Sequence, residues 1–141
     1  MYEELTAFIP KLQDSRYGEW IIDTENDGTF EHPLHLPYVA YDNIVDEFLD
    51  AVDHFKEHHS EMELTCYKAI LEKANIQWNE ESMKAADVSS LNGQTVMAMI
   101  VGIIRAERFC DGAIFEALKN GSIIKWLKRL KEIDDRKNIV D

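Results

Sequence analysis

The sequence predicts a mainly α (α+β) protein: a compact helical bundle of five or six helices around a central apolar helix, with a small β-hairpin element near the N-terminus. Apolar residues recur at helical spacing along most of the chain. Residues 96–104 are apolar almost without interruption, which is typical of a helix buried on every side. Residues 14–41 lack a helical period and carry two of the three prolines, so we expect short strands there.

The first predicted helix begins near Leu5, and its apolar face includes Phe8 and Leu12. Pro10 lies inside that pattern. Because proline lacks an N–H group and its ring clashes with the preceding turn, we expect the helix to kink or split at Pro10.

Residues 14–41 hold the predicted hairpin. Trp20-Ile21-Ile22 is a short β-prone run, and Asn26-Asp27-Gly28 is a hairpin-type turn. Thr29-Phe30 and Val39-Ala40-Tyr41 are the candidates for the pairing strands. The aromatic side chains of this region either form a cleft or partner site, or cover the open end of the helical core.

Three helices are predicted next, over residues 42–58, 60–74 and 79–86. The first has a continuous apolar stripe, and Asp42 is placed to cap its N-terminus. Ser60 and Glu63 have the spacing of a capping box for the second.

The central helix is predicted over residues 92–108. Asp111 is expected to cap the helix that follows, and Gly121 to end it. Ser122 would cap the last helix, and the polar tail after about residue 134 is predicted to be disordered. With 141 residues, the whole chain is expected to form one domain.

The net charge of −12 lies entirely in the first half of the chain, because residues 1–75 have a net charge of −12 and residues 76–141 a net charge of 0. An acidic half argues against binding to nucleic acid or to an anionic lipid surface. It suits a basic protein partner, although net charge also simply keeps a protein in solution.

No segment is long enough to span a bilayer, since the longest apolar run has about nine residues and a span needs about twenty. The N-terminus has no basic region followed by an apolar stretch, so we expect no secretory signal. Cys66 and Cys110 form no paired motif and are predicted to be buried free thiols, which suits the cytoplasm.

The main candidate site is the segment Arg105-Ala106-Glu107-Arg108-Phe109-Cys110-Asp111-Gly112. Arg105 and Arg108 are three residues apart, so they share a helix face and could hold a carboxylate or phosphate. Glu107 or Asp111 would orient the arginines or act as a base. A structural role is the alternative, because cations balance the negative end of a helix and Asp111 caps the next one.

Histidines are the candidate metal ligands. His54 and His58 are four residues apart, which is a chelating spacing, and His32, His35 and His59 lie nearby in sequence. Their face is otherwise acidic and lies opposite the apolar stripe, so a solvated surface is the alternative that we favour. We therefore predict neither a metal nor any other cofactor.

The last helix is basic on its outer side. Five cations line it: Lys125, Lys128, Arg129, Lys131 and Arg136. Such a face can bind nucleic acid or membrane, but in a chain of this net charge we expect it to lie near the acidic residues 42–63 of the same or a second copy.

The chain resembles an uncharacterised family of small bacterial proteins known only as a domain of unknown function. The resemblance rests on the apolar helix, the Arg-x-Glu-Arg-Phe-x-Asp-Gly motif after it, Gly121, and the run Ile124-Lys125-Trp126-Leu127; Leu5-Thr6-Ala7-Phe8-Ile9-Pro10 and Pro37-Tyr38 also match. It implies a bacterial cytoplasmic setting and supplies no mechanism.

The function expected from the sequence is that of a non-enzymatic interaction or regulatory protein that uses an acidic surface to bind a protein partner or a second copy. The alternative is a protein or enzyme that binds a small anionic ligand at Arg105 and Arg108. A third hypothesis is DNA mimicry, in which the acidic faces of residues 42–63 imitate spaced phosphates.

Overall fold

The computed structural model describes residues 1–22, 24–33 and 36–139. It confirms a mainly α-helical fold with a small two-stranded antiparallel hairpin near the N-terminus. The elements are α1 (Glu3–Thr6), α2 (Phe8–Gln13), β1 (Gly18–Ile21), β2 (Tyr38–Tyr41), α3 (Asn43–His58), α4 (Tyr67–Lys73), α5 (Glu80–Ala85), α6 (Gly93–Ala106), α7 (Ala113–Lys119) and α8 (Ser122–Ile139). Short 3₁₀ turns cover Ser60–Met62, Leu64–Cys66 and Val88–Ser90.

Helix α6 is the centre of the core. It packs against α4, α7 and α8, and its side chains from Val96 to Ile100 have no exposed surface. The predicted enclosure of residues 96–104 is therefore correct, and within that run only Ile104 is partly exposed. Within the described ranges, no helix is both long enough and apolar enough to cross a bilayer.

The first predicted helix is divided, but the division lies at Ala7 and not at Pro10. Pro10 is the third residue of α2, a position at which a helical N–H group has no intrahelical acceptor. Its missing N–H group therefore costs little there, and the break falls one turn earlier, where the proline ring would clash with a continuous helix.

The hairpin pairs Trp20 with Val39 and Ile21 with Tyr38. Of the two candidate pairing segments, Val39-Ala40-Tyr41 lies in β2, whereas Thr29-Phe30 lies in the connection between the strands. We call residues 18–41 the arm. In the described part of the chain, its sheet has two strands, so each is an edge strand with one unpaired side.

The predicted capping box of Ser60 and Glu63 does not form. Glu63 has φ of +52°, a left-handed conformation that interrupts the chain between the two 3₁₀ turns, and Ser60 makes no capping bond. The α-helix begins only at Tyr67, so the predicted helix over residues 60–74 is shortened to its second half.

The N-terminal ends of α5 and α6 are capped by asparagine side chains. Asn79 accepts a hydrogen bond from the backbone N–H of Ser82 at 2.7 Å, and Asn92 accepts one from Thr95 at 2.9 Å. Asp42 occupies the N-cap position of α3, but its side chain makes no capping bond and instead lies 3.8 Å from the Nε atom of Arg16.

Helix α8 runs to Ile139, and the disorder that the sequence predicts after about residue 134 stays a prediction. The buried carboxylate of Asp134 accepts a hydrogen bond from the backbone N–H of Tyr2 at 2.8 Å. That bond holds the third and fourth turns of α8 against the start of the chain. Residues 140 and 141, the end of the predicted tail, lie outside the described residues.

Candidate functional site

The motif that follows α6 contains residues with different structural roles. Helix α6 ends at Ala106 and α7 begins at Ala113, so the motif forms the last turn of one helix and the whole connection to the next. Arg105 and Glu107 are half-buried, while Arg108 and Asp111 are exposed. Arg105 and Arg108 line one pocket, to which Glu107 and Asp111 do not contribute, so the four candidate residues do not form a single site.

Glu107 caps α7. Its carboxylate accepts hydrogen bonds from the backbone N–H groups of Gly112, at 2.7 Å, and Ile114, at 2.9 Å. The prediction that Asp111 caps this helix is therefore wrong: Gly112 is the N-cap residue, and the acceptor comes from five residues upstream. A carboxylate at a helix N-terminus is stabilised by both the free N–H groups and the helix dipole.

Tyr41 extends this cap to the arm. Its hydroxyl group donates to Glu107 at 2.7 Å and accepts a bond from the backbone N–H of Phe115 at 3.0 Å. Burial and the adjacent Glu107 carboxylate raise the pKa of Tyr41 well above its usual range. Because its carboxylate is committed to these bonds, Glu107 has a structural role, and it forms no ion pair with Arg105 or Arg108 in the described part of the chain.

Gly112 of the motif lies against Trp20 of the arm. Its φ is +91°, and a Cβ atom built on it would lie 2.5 Å from the Cζ2 atom of Trp20. The indole ring of Trp20 therefore rests on the backbone of the turn, and only glycine leaves it room. Val39 packs beside it, so the inner face of the hairpin is held on the motif.

The outer part of the arm is apolar and exposed. Ile22 is 65% exposed, Leu36 is 83% exposed, and Phe30 is fully exposed. Ile22 and Leu36 lie with Tyr38 along a single open groove of about 750 Å³. Of the aromatic residues of the arm, Tyr41 packs against the core, Trp20 is 41% exposed where it lies on the turn at Gly112, and Phe30 and Tyr38 are exposed.

The arm is also rich in acidic residues. Residues 15–41 contain five carboxylate residues and a single arginine, Arg16. Glu19, Asp27 and Glu31 are all exposed. The arm thus combines apolar anchors with a negative rim, which is the composition of a protein-binding surface with a charge preference.

Arg105 and Arg108 line a small pocket of about 170 Å³. The pocket lies against α3, which contributes Lys56 and Asp53. Neither arginine makes an ion pair with any described residue. The helix spacing predicted that the two arginines share a face, but Lys56 was missed, because it is separated from them by about fifty residues and only the tertiary fold brings it close.

His54 and His58 do not converge on a common point. Their rings stack at 4.0 Å between centroids, and the Nδ1 atom of His58 lies 2.9 Å from the backbone carbonyl oxygen of His54. The Nδ1 atom of His54 lies 3.3 Å from a carboxylate oxygen of Glu4. Among the described residues, no group of three potential ligands is placed to hold a metal ion, and His35 lies outside those residues.

Cys66 and Cys110 are both exposed, so the prediction that they are buried is wrong. Cys66 lies in the 3₁₀ turn before α4, where the helix predicted over residues 60–74 is interrupted, and Cys110 lies in the connection before α7. Local apolar character suggested burial, but neither residue lies on a regular helical face that packs against the core.

Three of the cations of α8 interact with α5, with the segment before α6 or with α8 itself. Lys125 donates to the backbone carbonyl of Lys84, Arg129 donates to that of Leu91, and both Arg129 and Arg136 pair with Glu132. In the described ranges, no ion pair joins α8 to residues 42–63. The expectation that the basic helix lies near the acidic residues of the same or a second copy stays a prediction.

The model of a family described as a family of unknown function (DUF6508) matches residues 1–136. No curated protein and no solved structure matches the chain.

Proposed function

The chain belongs to this family of unknown function, so its role has to be inferred from its own surface, and we propose that it is a non-enzymatic interaction protein that binds a basic partner protein through the arm. The observation that carries this proposal is the exposure of Ile22, Phe30 and Leu36 on the arm. Proteins that act alone rarely leave large apolar side chains together in water, since each contributes about 1.5–3 kcal/mol when it is fully buried.

The charge around these side chains supports a basic partner. Glu19, Asp27 and Glu31 would face lysine or arginine side chains that flank an apolar anchor, and such charges would speed the encounter and select the partner. A symmetric dimer through the arm would place the same negative rim of two copies together. Like charges in contact oppose that arrangement, so we favour a different, basic protein over a second copy.

The same proposal places the interaction in the bacterial cytoplasm. Cys66 and Cys110 are exposed free thiols, which persist best in a reducing compartment. The N-terminal half, which includes the arm, carries the whole net charge of −12, in agreement with an acidic surface that recruits a basic protein.

Site-specific photocrosslinking tests this proposal in living cells. A photoreactive amino acid replaces Phe30 in one variant and Glu116, an exposed residue on α7, in a control variant. We expect one dominant crosslinked protein of basic isoelectric point at position 30 and none in common at position 116. A crosslink from position 30 to a second copy of the chain, or to an acidic protein, would contradict the proposal.

Two further variants separate the apolar and charged contributions. Ile22→Ser combined with Leu36→Ser removes anchors, whereas Asp27→Lys combined with Glu31→Lys reverses the rim. We expect both to reduce the yield of the crosslink, and the second to abolish its sensitivity to salt. An unchanged yield in both variants would show that the arm is not the contact surface.

A further inference from the structure

We propose that Lys56, Arg105 and Arg108 form a separate binding site for a small oxyanion, a free carboxylate or phosphate compound. The site lies between α3 and the last turn of α6, and it shares no side chain with the outer face of the arm. It therefore stands or falls independently of the interaction surface proposed above.

The pocket has an apolar floor and a cationic rim. Val52, Val101 and Ile104 form the floor, and the first two are buried. Lys56 and Arg105 are half-buried at the rim. Partial removal from water strengthens the attraction of these cations for an anion, because the effective dielectric constant beside an apolar floor is lower than in bulk water.

The size of the pocket limits the ligand. Its volume of about 170 Å³ is below the range of about 300–1,000 Å³ that holds drug-sized molecules. A phosphate ion or a short carboxylate is small enough to fit. Two guanidinium groups and one ammonium group supply only donors, which match the acceptor oxygens of such an anion.

The arginines of the pocket differ from the other arginines of the chain. Arg16, Arg129 and Arg136 each lie within ion-pair distance of a carboxylate. Arg105 and Arg108 have no such partner among the described residues, although the chain has 27 acidic residues and only 15 lysines and arginines. Cations left unpaired in so acidic a protein are available for an external anion.

Balancing the negative end of α6 does not account for all three cations. The terminal carbonyl groups of Arg105 and Ala106 already accept hydrogen bonds from the backbone N–H groups of the following turn. Lys56 belongs to a different helix. Asp53 also lines the pocket, and its carboxylate would repel a bound anion. Removing this charge should therefore strengthen binding, whereas removing a cation should weaken it.

Isothermal titration calorimetry at constant ionic strength tests the proposal, with inorganic phosphate and acetate as separate probes. We expect Arg105→Gln and Arg108→Gln each to weaken binding about tenfold, since each removes a charge-assisted hydrogen bond. Asp53→Asn should strengthen binding roughly threefold by removing a like charge. Lys137→Gln, which removes the same charge from α8 outside the pocket, should leave the affinity unchanged.

The comparison of phosphate with acetate identifies the class of anion, since the preferred probe binds more tightly and displaces the other. Arg105→Lys should recover part of the affinity lost in Arg105→Gln, because it restores the charge but not the paired donors. The proposal is overturned if neither anion binds the wild-type protein, or if Lys137→Gln weakens binding as much as Arg105→Gln. It is also overturned if Arg105→Gln lowers the melting temperature but leaves the affinity unchanged, since the role is then structural.

Discussion

The core around α6 and the outer part of the arm contain the same types of side chain, yet Ile100 is completely buried while Ile22 is 65% exposed. Helix α6 is enclosed because α4, α7 and α8 pack around it. The arm contacts the body through its inner face, where Trp20 lies on Gly112 and Tyr41 binds Glu107. The difference indicates that the outer apolar residues of the arm are not required for folding. Matched substitutions in the core and on the arm test this conclusion.

The largest effect is expected from a charge placed in the core. Ile100→Asp should prevent folding, because an unpaired carboxylate in a dry interior costs several kcal/mol and a small domain has only about 5–15 kcal/mol of stability. Ile22→Asp is the matched control on the arm and should fold normally. Circular dichroism during urea titration distinguishes them, and a cooperative transition for Ile100→Asp would contradict the enclosure of α6.

The contact between the arm and the body is the next test. Gly112→Ala combines a left-handed backbone with a clash against Trp20, whereas Gly121→Ala has a similar φ of +82° and open space around it. We expect about 1 kcal/mol of destabilisation for Gly121→Ala and about 1–3 kcal/mol more for Gly112→Ala. Gly112→Ala should also shift tryptophan fluorescence as Trp20 moves. Equal losses without a spectral change would mean that Trp20 does not pack on this turn.

A smaller effect is expected from Tyr41→Phe, which removes the two hydrogen bonds to Glu107 and Phe115 and should cost about 1–2 kcal/mol at neutral pH. The pKa of Tyr41 is raised in the folded state. Its contribution is therefore fully present below about pH 10, where the unfolded tyrosine ionises, and is lost as the pH rises further.

The decrease in stability above pH 10 should therefore be shallower in Tyr41→Phe than in the wild-type protein. Urea denaturation between pH 8 and about 11 measures this slope in both proteins. Identical slopes would show that the folded structure does not raise the pKa of the Tyr41 hydroxyl group.

Prediction from sequence succeeded where a single helix determines the outcome. The all-round apolar character of residues 96–104 was enough to place α6 at the centre, and the three-residue spacing placed Arg105 and Arg108 along one pocket. It failed where the partner is distant or the backbone is irregular. Glu107 rather than Asp111 caps α7, because the connection between α6 and α7 brings the Glu107 carboxylate to the backbone N–H of Gly112.

The contribution of Lys56 to the pocket has a different origin. It depends on the packing of α3 beside α6, for which the sequence offers no local signal. The exposure of Phe30 likewise has no local signal in the sequence. Residue type alone predicts neither the position of Lys56 nor the exposure of Phe30, because phenylalanine is more often buried.

The most direct test of the interaction surface is the substitution Phe30→Ser, measured for stability and for partner binding in the same preparation. Phe30 is fully exposed, so the free energy of unfolding should change by less than about 0.5 kcal/mol. Binding of the basic partner captured at position 30 should weaken by about tenfold or more, because an aromatic anchor is lost. A stable protein that binds its partner as tightly as before, or a loss of stability above about 1 kcal/mol, would contradict the account.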